Sequence, residues 1–339
     1  MPRNSFLLFR ASFAALMLAF AACEHETQPQ QPKLFELLKP EQTGISFSNN
    51  LPEKVDFNIL NYLYYYNGGG VAVGDIDGDG LPDLYFTSNL GSNKLYRNLG
   101  NYRFEDVTDK AGVADSVGWK TGVTMADVNG DGKIDIYVSG VDYLGEHGRN
   151  VLYINNGDGT FTDRTKEYGL EHQGFSTQAL FFDYDGDGDL DMYLLDHSTH
   201  RVRDAGRGMR DAGTAGCGMG DGGCGTARIG DRLFRNDGNH FVDVTAAAGI
   251  HDDVDGYGLG IVASDLNDDG CPDLYITNDF QGDDYLYVNN CNGTFSELIA
   301  NPHPSSPSRI PSSTPAAFPW ASTLPISTTT AAPISSRST

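Results

Sequence analysis

Basic residues are scarce in this chain. Only 23 Lys+Arg stand against 46 Asp+Glu, a formal net charge of −23 over 339 residues. That argues against a nucleic-acid partner, because phosphate binding is driven by Lys and Arg releasing counterions. It argues equally against docking on an anionic lipid surface through a basic patch. Apolar residues are also few, at 39%. No apolar run approaches the ~20 residues of a membrane-spanning helix. Catalytic signatures are missing as well: there is no P-loop, no His cluster and no Ser/His/Asp arrangement. What is plentiful is Gly (41), Phe (18) and Tyr (17). Gly-rich, Asp-rich and aromatic together predict many short strands joined by tight turns, which disfavours a helical bundle or a coiled coil. The length suits one large all-β domain or two ordinary ones.

The first segment reads as an address. Arg3 and Arg10 precede a charge-free stretch, Ala11–Ala22, ending in two Ala before Cys23. That is the layout of a secretory signal over residues 1–22. The Cys after two Ala resembles a bacterial lipoprotein signal, which implies a lipidated Cys23, with Phe20 departing from the usual Leu or Val. The expected location is therefore the outer membrane or cell surface, touching lipid only through that anchor. Plain secretion with cleavage near Ala22 is the alternative. Residues 23–33 are polar and Gln/Pro-rich, which suits a flexible tether.

Internal repeats carry the main signal. GDIDGDGLPDLY begins at Gly74, ADVNGDGKIDIY at Ala126, FDYDGDGDLDMY at Phe182 and SDLNDDGCPDLY at Ser264. All follow D-x-[DN]-x-D-G-x-x-D, an apolar residue, then Tyr. Other pieces repeat in phase, from Asn93, Asn150, Asp231 and Asp284. In the first unit, Val71–Ile76 leads into the Asp loop and Asp83–Thr87 leaves it. Lys94–Arg97 follows, and Tyr102–Val107 closes the unit. Four antiparallel strands recurring about every 50 residues predict an all-β chain of β-propeller blades over residues 34–298. LFELLKPEQTGI from Leu34 looks like the end of such a unit, and an orphan closing strand at Phe35 is expected.

Several carboxylates within one turn repel each other unless a cation sits among them. Calcium takes six to eight oxygen ligands, whereas magnesium prefers a rigid octahedron with retained waters. The expected ligands of the first loop are Asp75, Asp77, Asp79 and Asp83, with the main-chain carbonyl of Leu81. The second loop offers Asp127, Asn129, Asp131, Lys133 (carbonyl) and Asp135. The third offers Asp183, Asp185, Asp187, Asp189 (carbonyl) and Asp191, and the fourth Asp265, Asn267, Asp269, Cys271 (carbonyl) and Asp273. About four Ca2+ ions are expected. Unrelated side chains at Leu81, Lys133, Asp189 and Cys271 make sense if only the backbone oxygen matters. Gly80, Gly132, Gly188 and Gly270 stand where the chain must turn sharply. An EF-hand would end in a bidentate Glu at position twelve. Here that position holds Phe86, Val138, Leu194 and Ile276, so the EF-hand is excluded. Four metal-free Asp/Gly turns are the bland alternative, and four copies with Asp in the same places weigh against it.

These loops and their LY-containing companions resemble the FG-GAP/VCBS repeats of integrin-α-like propellers. More narrowly, GGGVAVGDIDGDGLPDLYFTSN and GDRLFRNDGNHFVDVTAAAGI resemble bacterial proteins related to cartilage acidic protein, of the ASPIC/UnbV type. The resemblance covers about residues 34–298. It implies an exported, calcium-stabilised seven-bladed ring, of which about four blades are present. No ASPIC/UnbV region is recognisable.

Two segments depart from the pattern. Residues 198–229 are Gly- and Arg-rich and interrupt the third blade between its second and third strands, reading as a flexible surface loop. Cys217 and Cys224 within it could form a disulfide, and the pairing of Cys271 and Cys291 is open. His197 and His200 form H-S-T-H beside this insertion; a zinc pair is conceivable, but a solvated loop is the expectation. Residues 299–339 form a Ser/Thr/Pro-rich tail, expected to be disordered, and acidic residues vanish from Asn301 onward. Read from the third base of the Phe318 codon, the codons of FPWASTLPISTTTAAPISSRST can encode SMGVDVADINNDGCPDLITLD. That is a fifth Asp loop, parallel to the segment starting at Tyr257. A frameshift between about Ile299 and Ser313 is expected, and resequencing the gene there tests it.

The repeated carboxylates are absorbed as metal ligands, so the expectation is not an enzyme. It is a calcium-binding, exported surface module for a protein or glycan ligand. A propeller enzyme acting on polysaccharide and a purely structural repeat protein are the alternatives.

Overall fold

The computed structural model of the chain describes residues 34–197, 230–251, 256–279 and 284–299. The signal segment with Cys23, the tether, Cys217, Cys224 and His200 of the insertion, and the tail from residue 300 lie outside the described residues. Among the described residues the chain is mostly β, and no helix is long and apolar enough to cross a membrane.

The chain divides into two compact units, Met1–Gln42 and Thr43–Thr339. In the first, the orphan strand expected at Phe35 does not form. Leu34, Phe35 and Leu37 are 92%, 90% and 93% exposed, and no described strand pairs with them. A lone three-residue edge has nothing to exchange its backbone hydrogen bonds with, so it stays irregular.

The second unit holds four antiparallel sheets in sequence. Blade 1 is β1 (Val71–Gly74), β2 (Asp83–Phe86), β3 (Lys94–Asn98) and β4 (Phe104–Asp106). Blade 2 is β5 (Trp119–Ala126), β6 (Asp135–Tyr143), β8 (Val151–Asn155) and β9 (Phe161–Asp163), with an extra short strand, β7 (Glu146–His147), on β6. Blade 3 is β10 (Ser176–Phe182), β11 (Asp191–Asp196), β12 (Arg232–Asn236) and β13 (Phe241–Asp243). Blade 4 is β14 (Gly258–Ser264), β15 (Asp273–Asn278), β16 (Tyr285–Asn289) and β17 (Phe295–Glu297). The register repeats: Ala72 faces Tyr85, Thr124 faces Tyr137, Leu180 faces Tyr193 and Val262 faces Tyr275.

Successive strand residues point to opposite sheet faces. Here both faces of an inner blade meet another blade, so its second strand is buried on both sides rather than alternately. In β6, Ile136 and Val138 pack towards blade 1, whereas Tyr137 packs towards blade 3. Every residue of β11 is buried. Three inter-blade cores result. One joins Tyr85 and Leu95 to Val123 and Ile136, the second joins Tyr137 and Leu152 to Met192 and Leu194, and the third joins Tyr193 and Leu233 to Leu274 and Ile276.

The strand ends opposite the Asp loops are sealed by aromatics. Phe57, Tyr62, Tyr64 and Tyr65 pack with Trp119, Tyr143, Phe175 and Tyr257, which lie at the starts of first strands or the end of β6. His197 belongs to this cluster. It is 2% exposed, its Nε2 lies 2.8 Å from the Tyr62 hydroxyl, and its ring lies 4.4 Å from that of Tyr64. The solvated-loop expectation for His197 is therefore corrected. Of the rings packed on it, Tyr62 and Tyr64 lie far away in sequence, and Phe175 lies just before β10.

One hydrogen-bonding device recurs in or just after each second strand. Ser88, Gly140, Asp196 and Asn278 donate their main-chain N–H to the side-chain oxygen of Asn93, Asn150, Asp231 and Asp284. In blade 1, Asn93 Nδ2 then donates to the Tyr85 hydroxyl, whereas in blade 3 the Tyr193 hydroxyl donates to Asp231. Burial, with Asp196 close by, pushes the Asp231 carboxyl up to about 7 against its N–H and hydroxyl donors. An acid raised on folding contributes stability that is full below its unfolded pKa, near 4, and lost as pH rises through about 7. Asp231→Asn copies the arrangement of blade 1 and should remove that loss. Each displaced pKa unit is worth about 1.4 kcal/mol. The variant should melt several degrees above the parent at pH 8.5 and with it at pH 4; equal melting at both would refute this.

Candidate metal centres

Each Asp loop links the first strand of a blade to the second, so four loops recur at equivalent places. The nine-residue turn is built on its own carboxylates. Asp75 Oδ1 accepts the N–H of Gly78 at 2.8 Å, and its Oδ2 accepts that of Gly80 at 2.8 Å. Asp127, Asp183 and Asp265 accept equivalently from Gly132, Gly188 and Gly270. These glycines, with Gly80, have φ between 84° and 95°, the left-handed region where a side chain is strained. The fifth-position acids, Asp79, Asp131, Asp187 and Asp269, each accept the N–H of the seventh residue, Leu81, Lys133, Asp189 or Cys271.

The ninth position is different. Asp83, Asp135, Asp191 and Asp273 are at most 1% exposed. Each accepts two main-chain N–H groups: Ile76 and Asn98, Val128 and Asn155, Tyr184 and Asn236, Leu266 and Asn289. Burial raises Asp83, and the Asp77 and Asp79 charges add to it. Burial, with the neighbouring loop carboxylates adding to it, pushes Asp135 up to about 6 and Asp191 up to about 7 against their N–H donors. Asp185 is likewise raised by burial and by Asp187. Such a set is electrostatically unbalanced until a cation enters it.

Oxygens of Asp75, Asp77 and Asp83 lie within 4.8 Å of one another, as do those of Asp183, Asp185 and Asp191. In loops 2 and 4 the third position is an amide, Asn129 or Asn267, whose oxygen accepts the N–H of Asp131 or Asp269. Asp79 and Asp187 stand outside the two triads. Lys133 Nζ lies 2.8 Å from Asp131 Oδ2 and lowers that carboxyl. The donor set is oxygen throughout, which suits a hard cation. A grouping of Asp269, Cys271 and Cys291 offers no thiolate, because the two Cys form a disulfide with Cα atoms 5.7 Å apart. Cys291 has φ 55° at the turn position held elsewhere by Gly100, Gly157 and Gly238. The bond thus ties loop 4 to the following hairpin from a backbone pose glycine normally takes.

A role not assigned from the repeats belongs to Asn98, Asn155, Asn236 and Asn289, the Asn of LYRN, LYIN, LFRN and LYVN. Asn155 Nδ2 donates to Ile134 O in its own loop and to Ile76 O in the loop of the preceding blade, at 3.1 and 2.8 Å. Asn236 bridges Leu190 O and Val128 O, and Asn289 bridges Pro272 O and Tyr184 O. Asn98, with no preceding blade among the described residues, donates to Pro82 O of its own loop. In-phase repetition of Asn marked these residues; the partner loop one blade back could not be read from spacing.

The fold and its loops define a protein of bladed β-repeats, each carrying one acidic turn of the same nine-residue pattern. Residues 75–138 and 141–194 match the FG-GAP-like repeat, so the chain carries FG-GAP-like repeats. It is similar to cartilage acidic protein 1 of Xenopus tropicalis, 31% identical over 44% of this chain and 22% of that protein. Cartilage acidic protein 1 of Mus musculus is 31% identical over 38% of this chain and 20% of that protein. The chain thus spans about a fifth of the length of these relatives. A Photorhabdus luminescens Tc holotoxin pore covers 66% of this chain at 14% identity, with a TM-score of 0.22.

Proposed function

We propose that each of the four loops binds one Ca2+ ion and that the chain is an exported module recognising a protein or glycan ligand, not an enzyme. The observation that carries this is the ninth-position carboxylate. In all four loops it is buried and bound by two N–H groups. In the first three, burial raises it and the charges of its own loop add to that. A divalent ion with oxygen ligands removes that imbalance. The residues that would hold it are those at loop positions one, three, five and nine, with the seventh carbonyl. When bound, the ion would neutralise the loop and cross-link the ends of two strands. Export is supported by the Cys271–Cys291 disulfide, which suits an oxidising compartment, and by the signal expected over residues 1–22, ahead of Cys23. Loops on a rigid bladed base suit recognition.

Native mass spectrometry of the protein purified from membranes tests both parts. The expected mass carries about four calcium ions and a diacylglycerol on Cys23. A metal-free, unmodified chain would overturn the reading. Glycan arrays and pull-downs with and without chelator then identify the ligand, with binding expected only when calcium is present. Turnover of a polysaccharide would replace the binding module with an enzyme.

A further inference from the structure

Among the described residues, blade 4 alone carries a covalent cross-link. It joins Cys271, the seventh position of loop 4, to Cys291 in the hairpin between β16 and β17. Blades 1 to 3 carry Leu81, Lys133 and Asp189 with Gly100, Gly157 and Gly238 at these two positions, so the sulfur pair is peculiar to blade 4. In blades 1 and 2 the positions meet without any bond. A Cβ at Gly100 would lie 3.9 Å from Leu81 Cδ1, and one at Gly157 would lie 2.6 Å from Lys133 Cε. The fold itself therefore brings this pair together, and in blade 4 the Cα atoms lie 5.7 Å apart. Thiols placed there would stay neighbours after the bond is broken. A third group faces them. Asp269 Oδ1 lies 3.7 Å from Cys291 Sγ and accepts the Cys271 N–H at 2.9 Å. An oxygen of Asp269 and both sulfurs lie within 4.8 Å of one another. Asp269 and Cys291 are exposed and Cys271 is half-buried, so reagents in solution can reach the cluster.

We propose that reduction of Cys271–Cys291 turns this corner of loop 4 into a site for a borderline-soft divalent ion such as zinc. Two thiolates and the Asp269 carboxylate hold the ion, and water takes the fourth place. A dithiol reductant supplies two electrons and two protons. The S–S bond breaks, two thiols form, and the reductant leaves as a disulfide. When the ion binds, both thiols release their protons to water and coordinate as thiolates. Zinc takes Cys sulfur at about 2.3 Å and carboxylate oxygen at about 2.0–2.2 Å in a tetrahedron. Those lengths give a sulfur–oxygen edge of about 3.5 Å and a sulfur–sulfur edge of about 3.8 Å. Asp269 and Cys291 already stand near the first of these separations. The second needs only that the freed sulfurs rotate apart about their Cα–Cβ bonds. Thiolates select zinc-like ions, whereas calcium keeps to oxygen. The oxidised and reduced corners thus favour different ions, with Asp269 shared between them. That exclusivity rests on the calcium reading of loop 4, but the sulfur site does not.

The test uses the full chain with Cys217→Ser and Cys224→Ser, which removes the insertion's own pair of thiols. It is reduced with a dithiol, freed of reductant without air, and titrated with Co2+ and then Zn2+ in excess calcium. Cobalt is expected to bind at one ion per chain, with a tetrahedral visible spectrum and a thiolate charge-transfer band, and zinc should bleach both. The oxidised chain should show neither. Cys271→Ser with Cys291→Ser should abolish both signals. Asp269→Asn should weaken cobalt binding by about tenfold or more, a loss that even groups behind a metal ligand cause. A reduced chain without the charge-transfer band would overturn the proposal, as would bands that survive the double Ser variant or ignore Asp269→Asn. Loss of the far-ultraviolet β signal on reduction, before metal is added, would overturn it too, because the bond would then be a structural staple. Failure of the calcium reading shows separately, as an oxidised chain whose native mass carries no calcium, and leaves the cobalt bands in place.

Discussion

Removing divalent cations with EGTA is expected to lower the melting temperature by about 20 °C or more. A ligand present at ~100 times its dissociation constant stabilises the folded state by about 2.7 kcal/mol per site. Four sites acting separately give roughly 10 kcal/mol, comparable with the whole net stability of a domain. For domains of this size 1 kcal/mol moves the midpoint by about 2–4 °C. The physical source is the packing of carboxylates in each turn, with a fully buried acid at its base. Calcium re-addition should restore the original midpoint, and magnesium should do so poorly. Identical melting curves in chelating and calcium-rich buffers would remove the metal reading altogether.

The second large effect separates two acids four residues apart. Asp131 is exposed, and its Oδ1 holds one N–H within the loop. Asp135 is 1% exposed and holds two buried N–H groups, those of Val128 and Asn155. Asp131→Ala should cost one calcium ion and little else. Asp135→Ala should cost the ion and also strand both donors, at about 1–3 kcal/mol each. Urea unfolding in EGTA isolates the second term. There Asp135→Ala should be destabilised by about 3–5 kcal/mol, and Asp131→Ala should match the parent. Equal unfolding of the two variants in EGTA would mean that the buried acid has no structural role.

Much of the blade architecture was legible because period-two strands, Gly-rich turns and the Asp loop repeat in phase. The first unit shows this well: strands expected at Val71–Ile76, Asp83–Thr87, Lys94–Arg97 and Tyr102–Val107 form at 71–74, 83–86, 94–98 and 104–106. What stayed hidden depends on partners distant in sequence. Phe35 carries the local pattern of a closing strand, but a strand needs a neighbour, and none of the described strands supplies one. His197 looked like part of a polar insertion until Tyr62 and Tyr64, over 130 residues earlier, were brought onto it. The division of labour inside the loop was hidden for another reason. Spacing treats positions one, five and nine alike, whereas only the ninth lies beneath the next strand hairpin and loses its water.

The bridging asparagines have a consequence for how the array responds to stress. Asn155, Asn236 and Asn289 each hold two carbonyls from successive turns on one amide group. A disturbance in one turn is therefore felt first by its immediate neighbour, and farther along only by relay. Stacks that touch only nearest neighbours behave as one-dimensional chains, in which melting starts at a terminus and propagates inward. Fraying should thus begin where the described relay stops, at the first and last of the four sheets, leaving the middle pair as the last to yield.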